Sequence, residues 1–438
     1  MQGTLRFAWI SACGLGLVLG SASAQADLRG AIDQGAAAVA DQVIAWRRHI
    51  HEYPELSNRE YKTAELVADH LKSLGLEVET GIAHTGVVGL LRGPEDGPVV
   101  ALRADMDALP VVEHTGLPYA SKVTSTYNGQ EVGVMHACGH DTHVAILMGA
   151  ATVLTDLRDQ LPGTVKFIFQ PAEEGPPKGE NGGARMMVQE GVLKNPDVDA
   201  IFGLHISQAG LAGTANYRPK GAMASAQRLE ITVKGSQTHG ARPWAGVDPI
   251  MTGAAIVNAL QTIVSRQVDI TKAPAVVTLA TFHGGVRNNI IPDTAHLTGT
   301  IRTYDADMRS DIHRKIRVIA ANIAASMGAD VEVYIDEGVP VTYNDPELAA
   351  TMAPTLERVY GKENVTIADR ITGAEDFSVY QEQVPGLFFF IGGRPADIPA
   401  EKSIPNHSPF FHVDEAAFQP AVRAMVNLAF DYLSQKAG

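Results

Sequence analysis

Side chains able to bind a metal crowd into one short segment, His136-Ala137-Cys138-Gly139-His140-Asp141-Thr142-His143. A lone histidine usually serves as a hydrogen-bonded core or surface group; the crowding is what gives this segment chemical meaning. Cys138 and His140 can both reach one centre from an extended backbone, with Gly139 letting the chain turn between them. Thiolate and imidazole together suit a borderline-soft divalent ion such as zinc. His136 and His143 each have two readings of equal standing, as a ligand or as a helix-capping or hydrogen-bonding partner of one.

A second candidate is Gln170-Pro171-Ala172-Glu173-Glu174-Gly175, directly after an apolar run. Adjacent carboxylates on extended backbone point in different directions. Glu174 can then bind a metal while Glu173 faces the reacting centre as a general base, taking a proton from water whose pKa the metal depresses. His205 also follows an apolar run, and His407 lies in the Pro-bounded segment His407-Ser408-Pro409-Phe410-Phe411-His412. In Arg103-Ala104-Asp105-Met106-Asp107 two acids at alternate positions share one side. Either Asp105 or Asp107 can orient a ligating imidazole through its second nitrogen, or stand as a solvated acid at a strand end.

The elements that must hold these residues alternate between strand and helix. Helical patterns occupy the segment around residues 39–46, ending before His49-Ile50-His51-Glu52-Tyr53-Pro54, and a second segment through Leu66, Val67, Leu71 and Leu74 that stops at Gly75. Strands are expected over 87–91, 99–102, 165–169 and 201–204, with a long apolar helix over 144–157. This alternation argues for an α/β fold with helices on both faces of the sheet. The metal-competent residues would lie in loops at strand ends, where α/β proteins build their sites. From about residue 217 the rhythm becomes strand 228–234, helix 249–266, strand 275–283, strand 295–304, helix 308–327, strand 330–336. That is the ferredoxin-like βαββαβ order. A buried strand over 387–391 and a closing helix over 415–432 then resume the first pattern. The chain is therefore expected to divide into a catalytic domain in two parts, 27–216 and 337–438, with an inserted domain over 217–336.

Six segments, in this order, resemble the M20 metallopeptidase-family amidohydrolases, in the branch of hippurate hydrolase and the plant auxin-conjugate hydrolases. They are His51-Glu52-Tyr53-Pro54-Glu55-Leu56-Ser57, Arg103-Ala104-Asp105-Met106-Asp107-Ala108-Leu109-Pro110, Met135-His136-Ala137-Cys138-Gly139-His140-Asp141, Gln170-Pro171-Ala172-Glu173-Glu174, Gly373-Ala374-Glu375-Asp376-Phe377 and His407-Ser408-Pro409. The resemblance covers nearly all of the chain after its first residues. It implies a zinc-peptidase-like catalytic domain and two divalent ions held by Cys138, His140, Glu174, His205 and His407, with Glu173 as the base. Zinc is the expected ion, with manganese or cobalt as alternatives. The inserted domain would act as a lid and join copies into a homodimer or higher oligomer. His239, in Gly235-Ser236-Gln237-Thr238-His239-Gly240, would help hold the tetrahedral intermediate, and Asn289 and Arg302 would meet the substrate carboxylate. The implied substrate is an N-acyl amino acid, aromatic or hydrophobic in character, cleaved to a carboxylic acid and an amino acid. In one place the pattern departs: the Pro- and Gly-rich run from Glu174 to Gly183 is longer than the family's usual connection, which bears on substrate choice.

Composition bounds the rest. The chain has 438 residues, more than one hydrophobic core usually serves. Its formal charge of -14 repels nucleic acid and anionic membrane. Arg6, an apolar run over 7–20 and Ala22-Ser23-Ala24 read as a secretory signal over 1–24, with Ala24-Gln25-Ala26 an equally acceptable cleavage site. A membrane anchor needs ~20 apolar residues, more than this run supplies. The periplasm is the expected compartment. Signal removal leaves Cys138 as the remaining cysteine, which in an oxidising compartment needs burial or a metal. Two rival readings remain: a dipeptidase or aminopeptidase on the same fold, which needs an acidic anchor for a free ammonium, and a secreted metal-sequestering protein without turnover, which has no use for Glu173.

Overall fold

The computed structural model describes the backbone of residues 15–437 and side chains from residue 27 onward. The expected secretory segment and its cleavage sites lie outside the residues described with side chains. The main sheet consists of β1 (Glu77–Ile82), β2 (Gly86–Arg92), β3 (Val99–Asp105), β4 (Thr164–Gln170), β5 (Ala200–Leu211), β6 (Ala215–Tyr217), β7 (Val365–Ile367) and β8 (Gly386–Arg394). Their order across the sheet is β1-β2-β4-β3-β5-β8-β6-β7. The centre of the sheet is parallel: β4, β3, β5 and β8 all run the same way.

Every residue of β3 and β4 is buried. Runs without polar alternation form where both faces of a sheet are covered. Val100, Leu102 and Phe167 enter a core with helices α1 (Leu15–Glu52), α3 (His140–Asp156) and α6 (Phe418–Ala437), whereas Ala101 and Ile168 enter a smaller one on the opposite face. Helices α2 (Tyr61–Ser73), α4 (Gly183–Gln189) and α5 (Pro346–Tyr360) complete the cover.

Among the boundaries that differ from those expected, three bear on the site, each with a local reason. Helix α1 continues through His49 and His51 to Glu52, because Ile32, Ala36, Val39, Val43 and Ile50 keep one buried stripe in phase. The interruption comes only at Pro54. Helix α3 begins at His140, so His140 and His143 occupy its first turn and are not loop residues. Gly139 ends the preceding extended run with φ +95°, and its carbonyl accepts from the Thr142 N–H at 2.9 Å. Strand β5 does not end at His205 but runs on to Leu211. Its pairing with β3 stops at Gly203, while its pairing with β8 continues through His205 and Ile206. His205 therefore projects past the end of β3 although it is mid-strand.

Residues 227–335 form a second sheet in the order Ala275–Gly284, Thr294–Thr303, Gln227–Lys234, Asp330–Ile335. All its pairings are antiparallel. Helices Pro249–Thr262 and Ala306–Ser326 cover one face with a separate core that includes Leu229, Ile231, Ile256, Leu297 and Ile312. The chain enters and leaves this unit side by side: Ala226 and Val339 exchange N–H···O bonds of 2.9 and 2.8 Å.

Candidate metal centre

The ends of β3 and β4 and the middle of β5, together with the start of α3 and the loop at 405–409, deliver the chemistry-bearing residues to one place. The Cys138 thiol lies 3.4 Å from His205 Nε2. Ligand atoms of Cys138, His140 and His205 all lie within 4.8 Å of one another, as do those of Cys138, Glu174 and His407, and those of His140, Glu173 and Glu174. His407 Nε2 is 3.0 Å from Glu174 Oε1. Cys138 thus belongs to two trios with different partners. A thiolate so placed can serve two ions at once.

The electrostatics fit such an occupant. Both ring nitrogens of His140 are buried without a hydrogen-bond partner, yet carboxylates stand 3.3 Å away at Asp107 and 3.8 Å away at Asp105 and Glu173. Burial alone would lower the His140 imidazole; Asp105 and Asp107 push it up to about 10. Burial, then Glu174 and Glu173, raise the Cys138 thiol. Burial, then Glu375 and Glu174, drive the Glu173 carboxyl well above the carboxylate range. A buried pocket with surplus negative charge explains all of these, and divalent cations relieve it. His205 is pushed well down by burial and by His143. Its Nδ1–H donates to the Ile206 carbonyl at 2.8 Å, leaving the Nε2 lone pair facing Cys138.

The surroundings fix each candidate. Asp107 accepts the backbone N–H groups of Glu173 (3.0 Å) and Glu174 (3.1 Å) and the Ser57 hydroxyl (2.8 Å), so it clamps the carboxylate pair while facing His140. His143 Nδ1–H donates to Asp105 at 2.6 Å and its Nε2 accepts the Ile206 N–H at 2.9 Å. Both of its nitrogens are engaged in holding β3, α3 and β5 together. His136 is buried, pushed down to about 3 by burial, and belongs to none of these trios.

Sequence reasoning gave no role to a buried hub behind the site. Arg103 donates to Asp105 (2.7 Å), Glu375 (3.0 Å), Asp376 (3.1 Å) and Gln170 (2.9 Å). The available signal was an arginine inside an apolar strand run, since a charge buried there requires partners. Likewise Asp141 takes His51 Nδ1 at 2.8 Å and Arg47 Nε at 2.9 Å, tying the last turns of α1 to the start of α3.

Arg302 lies on the second sheet, whereas His239 lies on a separate two-stranded ribbon, Thr238–His239 with Ile290–Ile291, and Asn289 directly precedes the ribbon's second strand. His239 and Asn289 are exposed and neighbour one another through the Gly240 N–H, which donates to the Asn289 carbonyl at 2.8 Å. Arg302 is half-buried near Asp336. The side-chain hydrogen bonds of His239, to the Ala241 N–H, and of Arg302, to the Ile301 carbonyl, are local. In this conformation the structure does not bring them into the metal-competent trios.

Comparison with known proteins agrees with the geometry. A family model described as peptidase family M20/M25/M40 matches residues 101–431. Thermostable carboxypeptidase 1 of Saccharolobus solfataricus is 42% identical over 399 residues, 90% of this chain and 96% of that protein. N-acetyl-L-cysteine deacetylase of Bacillus subtilis is 36% identical over 376 residues, 86% of this chain and 84% of that protein. Among solved structures, the Bacillus subtilis YXEP protein, described as a dinuclear metal binding peptidase from the M20 family, matches with a TM-score of 0.76 at 36% identity, covering 91% of this chain and 99% of that one. This chain belongs to peptidase family M20/M25/M40 and is a metal-dependent hydrolase of that family.

Proposed function

We propose that the protein hydrolyses the amide bond of N-acyl amino acids, with a preference for aromatic or hydrophobic substrates, releasing a carboxylic acid and the free amino acid. Cys138, His140, Glu174, His205 and His407 would hold two divalent ions, with zinc favoured by the thiolate. Bound there, such ions acidify water and polarise a carbonyl. Glu173 accepts the proton of the attacking water at its carboxylate and returns it to the departing amine nitrogen. Asp107 keeps Glu173 in position through the backbone N–H. His239 steadies the oxyanion, and Asn289 and Arg302 take the substrate carboxylate, once the second sheet closes over the site.

The observation that carries this reading is the pairing of Glu173 and Glu174. Both backbones are held by the Asp107 carboxylate, while the side chain of Glu174 lies 3.0 Å from His407 and that of Glu173 lies 3.8 Å from His140. The Glu174 carboxylate thus meets His407, while Glu173 lies beside His140 and lines the adjoining cavity, a placement from which it can act on water at the centre. The relatives named as a deacetylase of an N-acetyl amino acid and as a carboxypeptidase both act on amides, which supports the reaction class. A panel of N-acyl amino acids and free dipeptides, assayed with metal-stripped protein refilled with zinc, manganese or cobalt, tests it. Release of amino acid from the N-acyl members is expected; cleavage of dipeptides alone would favour a peptidase, and no turnover with any metal would overturn the assignment.

A further inference from the structure

We propose that the cavity between residues 175–189 and residues 337–339 is the subsite for the acyl group, and that it selects acyl groups larger than acetyl. The proposal rests on the reading of the protein as an N-acyl amino acid hydrolase. The cavity holds about 400 Å³, within the size range of small-molecule sites. Glu173 is among the residues that line it, so the cavity adjoins the group assigned to activate water.

Charge decides which half of the substrate fits. The amino-acid half carries a carboxylate, and the cavity presents Glu180, Glu337 and Asp376 around its wall. The cations near them are already committed. Arg185 pairs with Glu337 at 3.0 Å and donates to the Gly338 carbonyl at 2.9 Å, while Arg103 is held by Asp105, Glu375 and Asp376. Among the lining residues an anion meets four acids, Glu173, Glu180, Glu337 and Asp376, and one basic side chain, Arg185, which pairs with Glu337. A neutral acyl chain finds Pro176, Met186, Val339 and Val379 instead.

The wall is built rather than loose. The Pro- and Gly-rich connection from Glu174 to Gly183 supplies one side of the cavity. Glu180 receives the Arg59 guanidinium at 2.6 and 3.1 Å and Asn58 Nδ2 at 3.0 Å. Asn58 Nδ2 also donates to the Asn181 carbonyl at 2.9 Å, which His84 Nε2 meets at 3.1 Å. Gly182 and Gly183 leave no room for side chains: a Cβ there would stand 2.6 Å from Asn58 Oδ1 and 2.6 Å from Asp376 Oδ2 respectively. Val339 closes the opposite side, where the chain returns from the second sheet beside Ala226. A pocket with pinned walls discriminates by volume, and filling it costs the larger substrate most.

The test compares kcat/KM for N-acetyl-, N-hexanoyl- and N-benzoyl-phenylalanine, and for N-acetyl-alanine, in the metal-loaded protein and in Met186→Trp and Val339→Phe, which fill the cavity from opposite walls. The unmodified protein is expected to favour the larger acyl groups over acetyl by about tenfold or more. Each variant should reduce that preference by a similar factor while the phenylalanine-to-alanine ratio at constant acetyl holds. No acyl preference in the unmodified protein, an acyl preference that neither variant moves, or movement of the amino-acid ratio instead would overturn the proposal. Failure of the unmodified protein to cleave any of these compounds would overturn the functional reading beneath it.

Discussion

At the scale of single residues, the site rests on two buried carboxylate devices with separable consequences. Asp107 joins four groups: the Ser57 hydroxyl, the N–H groups of Glu173 and Glu174, and the ring of His140. Asp107→Asn removes the charge that orients that ring, and metal affinity should fall about 10- to 100-fold, read by chelator competition. Arg103 acts on stability. Arg103→Met leaves Asp105, Glu375 and Asp376 buried without their cation, so unfolding free energy should drop by about 3–5 kcal/mol in urea titrations. An unchanged urea midpoint would show the hub to be dispensable. Cys138, His140, Glu173 and Glu174 were legible in the sequence because they cluster locally at strand and helix ends. Arg103 and Glu375 were not, since 272 residues separate partners that only the folded sheet brings to 3.0 Å. His205 and His407, singled out by a strand-end position and a Pro-bounded loop, drew their ligand role mainly from resemblance for the same reason.

At the scale of elements, the parallel centre of the sheet was readable because strands buried on both faces spell continuous apolar runs. The start of α3 was less so. It depends on the left-handed turn at Gly139, where a Cβ would meet Ile206 at 2.6 Å, and that neighbour comes from a distant strand. Glu60, which precedes α2, is a comparable tie: it accepts the Ala172 N–H at 2.9 Å and the Thr85 hydroxyl at 2.6 Å, joining α2 to the loop that carries Glu173. Burial, then Asp107, push the Glu60 carboxyl up to about 8, so the fold keeps it protonated at neutral pH. An unfolded glutamate ionises near ~4.3. The stability that neutral Glu60 contributes is therefore complete below ~4.3 and lost as pH rises to about 8. Glu60→Gln should remove that loss. Relative to the unmodified protein, its urea midpoint should be higher at pH 8 than at pH 5, and an equal offset at both would refute this account of Glu60.

At the scale of the molecule, His239, Asn289 and Arg302 all fall within the inserted residues 227–335, a unit connected to the metal-bearing sheet by two adjacent crossings. We propose that this unit closes over substrate and joins two copies of the chain, and that the protein is exported to the periplasm. No described helix is long and apolar enough to cross a membrane. Light scattering should give a dimer or larger assembly, and His239→Ala should lower kcat by about 10²–10³-fold, the scale of losing one oxyanion donor, without altering metal content. A monomer would contradict the joining of copies, and an unchanged kcat in His239→Ala would contradict the closure over substrate.

The central claim is that this chain holds two ions and uses Glu173 to move the proton. The most direct measurement combines elemental analysis with turnover of an N-acyl amino acid in the unmodified protein and in Glu173→Gln. Two equivalents of metal per chain are predicted in both proteins, with kcat of the variant lower by at least ~100-fold. A variant that keeps both its metal and its turnover would contradict the account, as would an unmodified protein that is fully active with one equivalent.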